Sequence, residues 1–341
     1  MAGVRYRRVV IEGQAALVPP TVITTDSLER MLARTYGNLG LRPGFLELLT
    51  GIAARRFWED GVRPSDAATR AARKVLLETG FDPRRIGALV STSVCKDYLE
   101  PSVAALVHGN LGLRPEALNF DVGNACLGFF SGVSVVANMI ELGQIEAGLV
   151  VAGEGSGEVT RSTVRKLMQP GVSMDDMRAN LATLTLGSAA AAWLLVRDDL
   201  ATQGHRVRGL TAQAATEHSR LCVGTAEQMT TDPTTLLTEG VALAGRVWRQ
   251  FCVDQGLQHA HIAEYCLHQV GKANHDAVCG ALSVPLDRAL RVYPDIGNVG
   301  ACGVPLTLSR AVEQGRVSSG DTVALLGIGS GLNCAMMALD W

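Results

Sequence analysis

The chain has 341 residues, 47% of them hydrophobic and 19% charged, which excludes intrinsic disorder and allows one large or two medium domains. Its 31 basic and 33 acidic residues give a formal net charge of −2, which argues against a nucleic-acid binder. The N-terminal "MAGVRYRRVVIEG" lacks the apolar core of a signal peptide, and no uninterrupted apolar run reaches about 18 residues, so no membrane span is expected. The eight cysteines have no CxxC pair or metal-like spacing. The expectation is therefore a cytoplasmic protein with reduced thiols, no bound metal and no nucleic-acid partner.

In chain order, "SDAATRAARKVLLETG" (65–80) predicts a helix, with Ser65 or Asp66 as N-cap and Gly80 as its stop. A buried strand, "IGALVSTS" (86–93), follows, then the strand "ALNFDV" (117–122) and a helix from Cys126 to about Gly143. "EAGLVVAGE" (146–154) is a short apolar run of the kind covered on both faces of a sheet. The segment 158–185 is charged and irregular. The second half repeats this grammar with the strands "IAEYCLHQ" (262–269) and "DTVALLGIG" (321–329).

The similarity between halves is specific. "DVGN" at 121 recurs as "DIGN" at 295, and "VAGEGSG" at 151 as "LLGIGSG" at 325; both shifts are 174 (295 − 121 and 325 − 151). "IGALVSTS" and "IAEYCLHQ" are offset by 176 (262 − 86). Two ordered copies of a strand–helix grammar predict an α/β protein, a five-layer α-β-α-β-α sandwich of duplicated halves. The halves are assigned to residues 1–190 and 191–341. The 158–185 segment has no counterpart after Gly331, which marks it as an insertion and a candidate cap over a binding site.

Cys126 stands between a strand and the start of an apolar helix. N-terminal N–H groups and the helix dipole would lower its pKa and make it a nucleophile. From placement alone, a core cysteine explains it equally well. The duplication adds that His268 ends a second-half strand and Asn298 stands where the first half has Asn124. Matching strand ends in a duplicated α/β unit converge on one crevice. Scattered histidines, including "HAH" at 259–261, form no ligand set, and the glycine runs at 153–157 and 327–331 are not GxGxxG, so neither a metal nor a nicotinamide cofactor is expected.

The motifs "NACLGF" around Cys126, "HQ" at 268–269, "GN" at 297–298, "GIGSGLN" at 327–333 and "GIAARRFW" at 51–58 resemble the thiolase superfamily along the whole chain. They are most similar to condensing enzymes related to 3-ketoacyl-acyl-carrier-protein synthase III. Within these, "STSVCKDYLEPSVAA" (91–105) resembles the OleA-type branch, because Glu100 precedes the proline where synthase III has an apolar residue. Glu100 is also explicable as a surface or helix-start carboxylate.

The resemblance implies a non-decarboxylative head-to-head Claisen condensation of two long-chain acyl-CoAs to a 2-alkyl-3-keto acid, a step toward olefins and long-chain hydrocarbons. Cys126 would form the acyl-enzyme, with an oxyanion hole from the N–H groups of Cys126, Gly329, Ser330 and Gly331. Glu100, in an apolar tunnel with a raised pKa, would remove the α-proton of the second acyl-CoA. His268 and Asn298 would donate to the enolate oxygen. The resemblance also implies a homodimer in which Glu100 reaches the partner's site, acyl-CoA as substrate without a cofactor, and downstream enzymes that take the product. Ala301, Cys302 and Gly303 depart from the residues usual in the family, which bears on pocket shape. The rival readings are decarboxylative synthase III chemistry with malonyl-carrier protein, a non-condensing acyltransferase or thioesterase, and a catalytically silent interaction subunit.

Overall fold

A computed structural model describes residues 3–202, 204–225 and 229–341. The first half runs β1 (Val9–Leu17), α1 (Pro64–Thr79), β2 (Ile86–Ser91), α2 (Val103–Leu111), β3 (Leu118–Asp121), α3 (Gly128–Glu141) and β4 (Ala147–Glu154). Two further helices, α4 (Gly157–Leu167) and α5 (Met174–Leu184), precede β5 (Ala189–Arg197). The second half holds β6 (His205–Ala214), α6 (Pro233–Gln255), β7 (Ile262–Leu267), α7 (Lys272–Leu282), α8 (Gly303–Glu313), β8 (Thr322–Gly329) and β9 (Asn333–Asp340).

The duplication is visible in the sheet order β7-β8-β9-β6-β1-β5-β4-β2-β3. In each half a parallel pair (β2 with β4, β7 with β8) is followed by antiparallel partners (β5 and β1, β9 and β6). The halves join where β1 meets β6, Val10 opposite Arg206 and Ile11 opposite His205. All eight residues of β4 are buried, as a strand covered on both faces must be. Helices α3 and α8 lie between the two half-sheets, α1 and α2 cover one outer face, and α6 and α7 the other. This is the expected five-layer sandwich.

Several local expectations change. Helix α1 is capped by Arg63, not by Ser65 or Asp66. Pro64 at the first helical position fixes φ there, and Asp66 reaches back to accept the Arg63 N–H at 3.1 Å. The partner of β3 in the second half is the short helix Tyr293–Ile296, so that half-sheet is one strand narrower. The expected division at residue 190 falls inside β5, which pairs with β1 and β4 of the first half.

The segment 158–185 is helical, not irregular. Its charges lie on outer faces, and α5 opens with a Ser173–Asp176 capping box. Val164, Leu167, Met177 and Leu184 turn inward onto Leu28, Leu32, Tyr36 and Leu46, so much of its apolar side is filled by the chain's own N-terminal helices. No helix among the described residues is long and apolar enough to cross a membrane.

Candidate active site

Cys126 sits on a sharp elbow. Ala125 holds φ at +44°, a left-handed conformation that costs a residue with a side chain about 1–3 kcal/mol. One tight turn, Ala125–Leu127, then leads into α3. The elbow is tied down by Asn124, whose Oδ1 accepts from Asn333 Nδ2 at 3.1 Å and whose Nδ2 donates to Ser131 Oγ at 3.0 Å. Below it passes the end of β8. A Cβ on Gly329 would stand 3.3 Å from the Leu127 nitrogen and 3.4 Å from that of Cys126, so any larger residue would press on this close backbone approach. Gly329, Ser330 and Gly331 thus border the elbow, where oxyanion donors would be needed.

His268 and Asn298 flank the turn and helix start that pack near this elbow. His268 continues the β7–β8 ladder, donating its N–H to Leu326 O at 2.8 Å. Its neighbour Gln269 pins the 290–293 segment, accepting from Val292 and Tyr293 N–H at 2.8 and 3.1 Å and donating to Leu290 O at 2.7 Å. Asn298 donates its backbone N–H to Thr185 O at 2.9 Å, where the chain leaves α5, and its Oδ1 accepts from Gly300 N–H at 3.1 Å. That bond orients the amide and leaves Nδ2 without a protein partner among the described residues. The turn after Asn298, Gly300–Cys302, packs directly on the Cys126 elbow. Asn298 thus lies one turn away from the Cys126 elbow, and the residue that ends that turn, Gly303, faces the His268 ring.

The electrostatics reverse one expectation. The Cys126 thiol is pushed up to about 12, first by burial and then by the negative charge of Glu154 and the nearby Cys222 thiol. Solvent touches its side chain, but protein crowds it closely enough for desolvation to outweigh the helix start. In the resting protein it is a neutral thiol. Burial brings His268 down to about 4, so its ring is neutral at pH 7. His268 Nδ1 is buried with no hydrogen-bond partner among the described residues. An orphaned lone pair is more tolerable than an orphaned N–H, so the ring proton belongs on Nε2, making that nitrogen a donor.

Glu100 is placed differently. It is exposed on the loop before α2, beside an exposed Tyr98 and a fully exposed Leu99, and not in an apolar tunnel of its own chain. The histidines form no metal-binding group among the described residues. His259 packs on Trp248 and its Nδ1 lies 2.7 Å from Tyr265 Oη, because the 259–261 turn folds back onto the α6 face.

Other residues at the site escaped the sequence. Helix α3 leaves Ser131, Ser134 and Val135 partly open. They border a cleft of about 480 Å³ that begins beside the elbow and is also walled by Leu127, Phe130 and Leu210. The hairpin formed by Cys222–Gly224 and Met229–Thr231 brings Cys222 near Cys126. Gly303, one of the departures noted above, has a spatial reason: a Cβ there would stand 2.9 Å from His268 Nδ1. Gly303→Val should displace the imidazole and lower condensation about 100-fold, the scale of a 1 Å misplacement, with the melting temperature little changed. Steady-state kinetics beside thermal unfolding checks this, and a wild-type rate would remove the steric argument.

Comparison with known proteins agrees with this architecture. The family described as 3-oxoacyl-[acyl-carrier-protein (ACP)] synthase III C terminal matches residues 252–341. The chain is 38% identical to the acyl-CoA:acyl-CoA alkyltransferase of Xanthomonas campestris pv. campestris, over 98% of this chain and 99% of that protein. It is equally 38% identical to the acyl-CoA:acyl-CoA alkyltransferase of Shewanella oneidensis, over 99% and 100% of the two chains. A crystal structure of a Xanthomonas campestris OleA variant with bound lauric acid and lauroyl-CoA superimposes with a TM-score of 0.96 at 38% identity, covering 98% of this chain and 100% of that one.

Proposed function

We propose a mechanism from one premise: the chain belongs to the acyl-CoA:acyl-CoA alkyltransferase (OleA) family of thiolase-fold condensing enzymes. It is an acyl-transferring enzyme that condenses acyl-CoAs head to head. Its substrates in this proposal are long-chain acyl-CoAs, and its product is a 2-alkyl-3-keto acid that downstream enzymes convert toward olefins. The observation that supports the residue assignments is the packing of the turn after Asn298 on the Cys126 elbow, with Gly303 at the end of that turn facing a neutral His268.

In the first half-reaction the Cys126 sulfur attacks the thioester carbon of one acyl-CoA. The carbon–sulfur bond to CoA breaks, and CoA leaves as the thiol with the proton that Cys126 gives up. The N–H groups of Cys126 and the 329–331 loop would hold the transient oxyanion. In the second, Glu100 takes an α-proton from another acyl-CoA, while His268 Nε2–H and Asn298 Nδ2–H donate to the enolate oxygen. The α-carbon attacks the acyl-enzyme carbonyl, the new carbon–carbon bond forms, and the Cys126 sulfur departs. Water then hydrolyses the remaining thioester, releasing the second CoA and the β-keto acid. The cleft beside the elbow, with apolar walls at Leu127, Phe130, Val135 and Leu210, supports binding of an alkyl chain.

A homodimer belongs to this proposal. Exposed Val94, Tyr98 and Leu99 around Glu100, with Leu118 exposed on the unpaired edge of β3, are a surface that a second copy would cover. That would carry Glu100 into the partner's site. Eight free thiols suit the reducing cytoplasm, where we place the reaction. Incubation with myristoyl-CoA alone tests the whole scheme: free CoA should appear with a symmetric long-chain ketone, formed as the β-keto acid loses CO2. CoA release without a new carbon–carbon bond would point instead to hydrolysis or simple acyl transfer, and product formed only with malonyl-carrier protein to decarboxylative chemistry.

A further inference from the structure

Glu154 ends β4 and is only 3% exposed, yet nothing in the proposed mechanism uses it. Burying a carboxylate is strongly unfavourable unless its lone pairs are met. No cation pairs with it among the described residues. Its carboxylate accepts from backbone donors of two separate segments, and the Cys95 thiol also hydrogen-bonds to it. Oε1 accepts the Val94 N–H at 2.9 Å and the Ala301 N–H at 3.3 Å, while Oε2 accepts the Cys95 N–H at 3.0 Å. Gly300 lies flush against it, since a Cβ there would stand 3.2 Å from the carboxylate carbon and Oε1.

Val94 and Cys95 begin the loop that carries Glu100, and Ala301 belongs to the turn that follows Asn298. We infer that Glu154 is a positioning residue for carbon–carbon bond formation, clamping the loop of the proposed base to the turn of the proposed enolate donor. The inference rests on the roles given above to Glu100 and Asn298. The duplication supports it independently. The second-half residue at the same strand position is Ile328 (328 − 154 = 174), an ordinary apolar side chain. A carboxylate stands where the other half has an apolar side chain, at a strand end where two site-bearing segments meet.

One oxygen makes the bridge, which gives the test its discrimination. Glu154→Gln keeps an oxygen able to accept from both Val94 and Ala301, but replaces the acceptor for the Cys95 N–H with an NH2 donor. Glu154→Met fills the same space with no acceptor, avoiding the cavity that alanine would leave. With myristoyl-CoA, Glu154→Met should condense about 100-fold more slowly than wild type, with KM within about threefold and single-turnover acylation of Cys126 unchanged. Glu154→Gln should recover to within about tenfold of wild type. Thermal unfolding of both variants accompanies the kinetics. Equal losses in Met and Gln, parallel loss of acylation and condensation, or a wild-type rate in Glu154→Met would each overturn the clamp. Failure of the parent scheme would be seen in the wild-type control, as absence of a Cys126 adduct or of condensed product, and would overturn both.

Discussion

Cys126→Ala should abolish both acyl-enzyme formation and CoA release, with turnover falling by at least about 10⁴-fold, as expected when a covalent nucleophile is removed. The other nearby thiols are poorly placed to substitute. Cys95 and Cys302 are held well above the ordinary thiol range, chiefly by burial and then by Glu154, and the Cys302 sulfur lies 3.5 Å from Ala189 O and 3.6 Å from Ala152 O. Cys222 belongs to a short strand, Cys222–Gly224, and not to a helix start. Intact-protein mass spectrometry after addition of acyl-CoA should find one acyl group on wild type and none on the variant. An adduct that survives the substitution, or that maps to Cys222 or Cys302, would sink the assignment. The raised thiol pKa adds a signature. Without substrate, wild-type Cys126 should react with iodoacetamide at pH 8 at least about tenfold more slowly than an unperturbed cysteine, whose pKa is about 8.5. Its rate should still be climbing at pH 10, because the thiolate fraction grows until pH passes a pKa of about 12.

The expected sign of that shift was the opposite, and the reason separates what a sequence can carry from what it cannot. The strand-to-helix junction at Cys126 is local, so its position was legible from "ALNFDV" and the apolar run behind it. The two half-sheets were legible because repeated segments must fold alike, and the offset of 174 pairs Asn298 with Asn124, whose following turns pack on each other. The thiol's neighbours come from elsewhere in the chain: Glu154 from β4 and Cys222 from the hairpin. No spacing rule connects them to Cys126. Glu154 did leave one trace, as the charged member of "VAGEGSG" opposite Ile328 in the repeat. The 158–185 helices were obscured for another reason. Their apolar residues are few, and the faces they bury become evident only against Leu28, Leu32, Tyr36 and Leu46.

Glu100→Ala should separate the two half-reactions. The substitution leaves Cys126, its elbow and the 329–331 loop untouched, so one acyl group should still transfer to Cys126 at close to the wild-type rate. Condensation should fall by about 10²–10⁴-fold, the usual contribution of a general base. A substrate that makes its own carbanion by losing CO2 should partly bypass the defect, because it needs no α-proton removed. The exposed position of Glu100 makes the partner's role testable. If the base crosses a two-fold interface, mixed Glu100→Ala and Cys126→Ala subunits regain activity that neither homodimer has. In the heterodimer, one site combines an intact Cys126 with the Glu100 lent by its partner. Random exchange makes half the dimers mixed, with one working site in two, so recovery should approach about a quarter of wild type. Loss in both homodimers with no recovery on mixing would confine Glu100 to its own subunit. Full condensation by the Glu100→Ala homodimer would remove the residue from the mechanism, leaving the α-proton to another base.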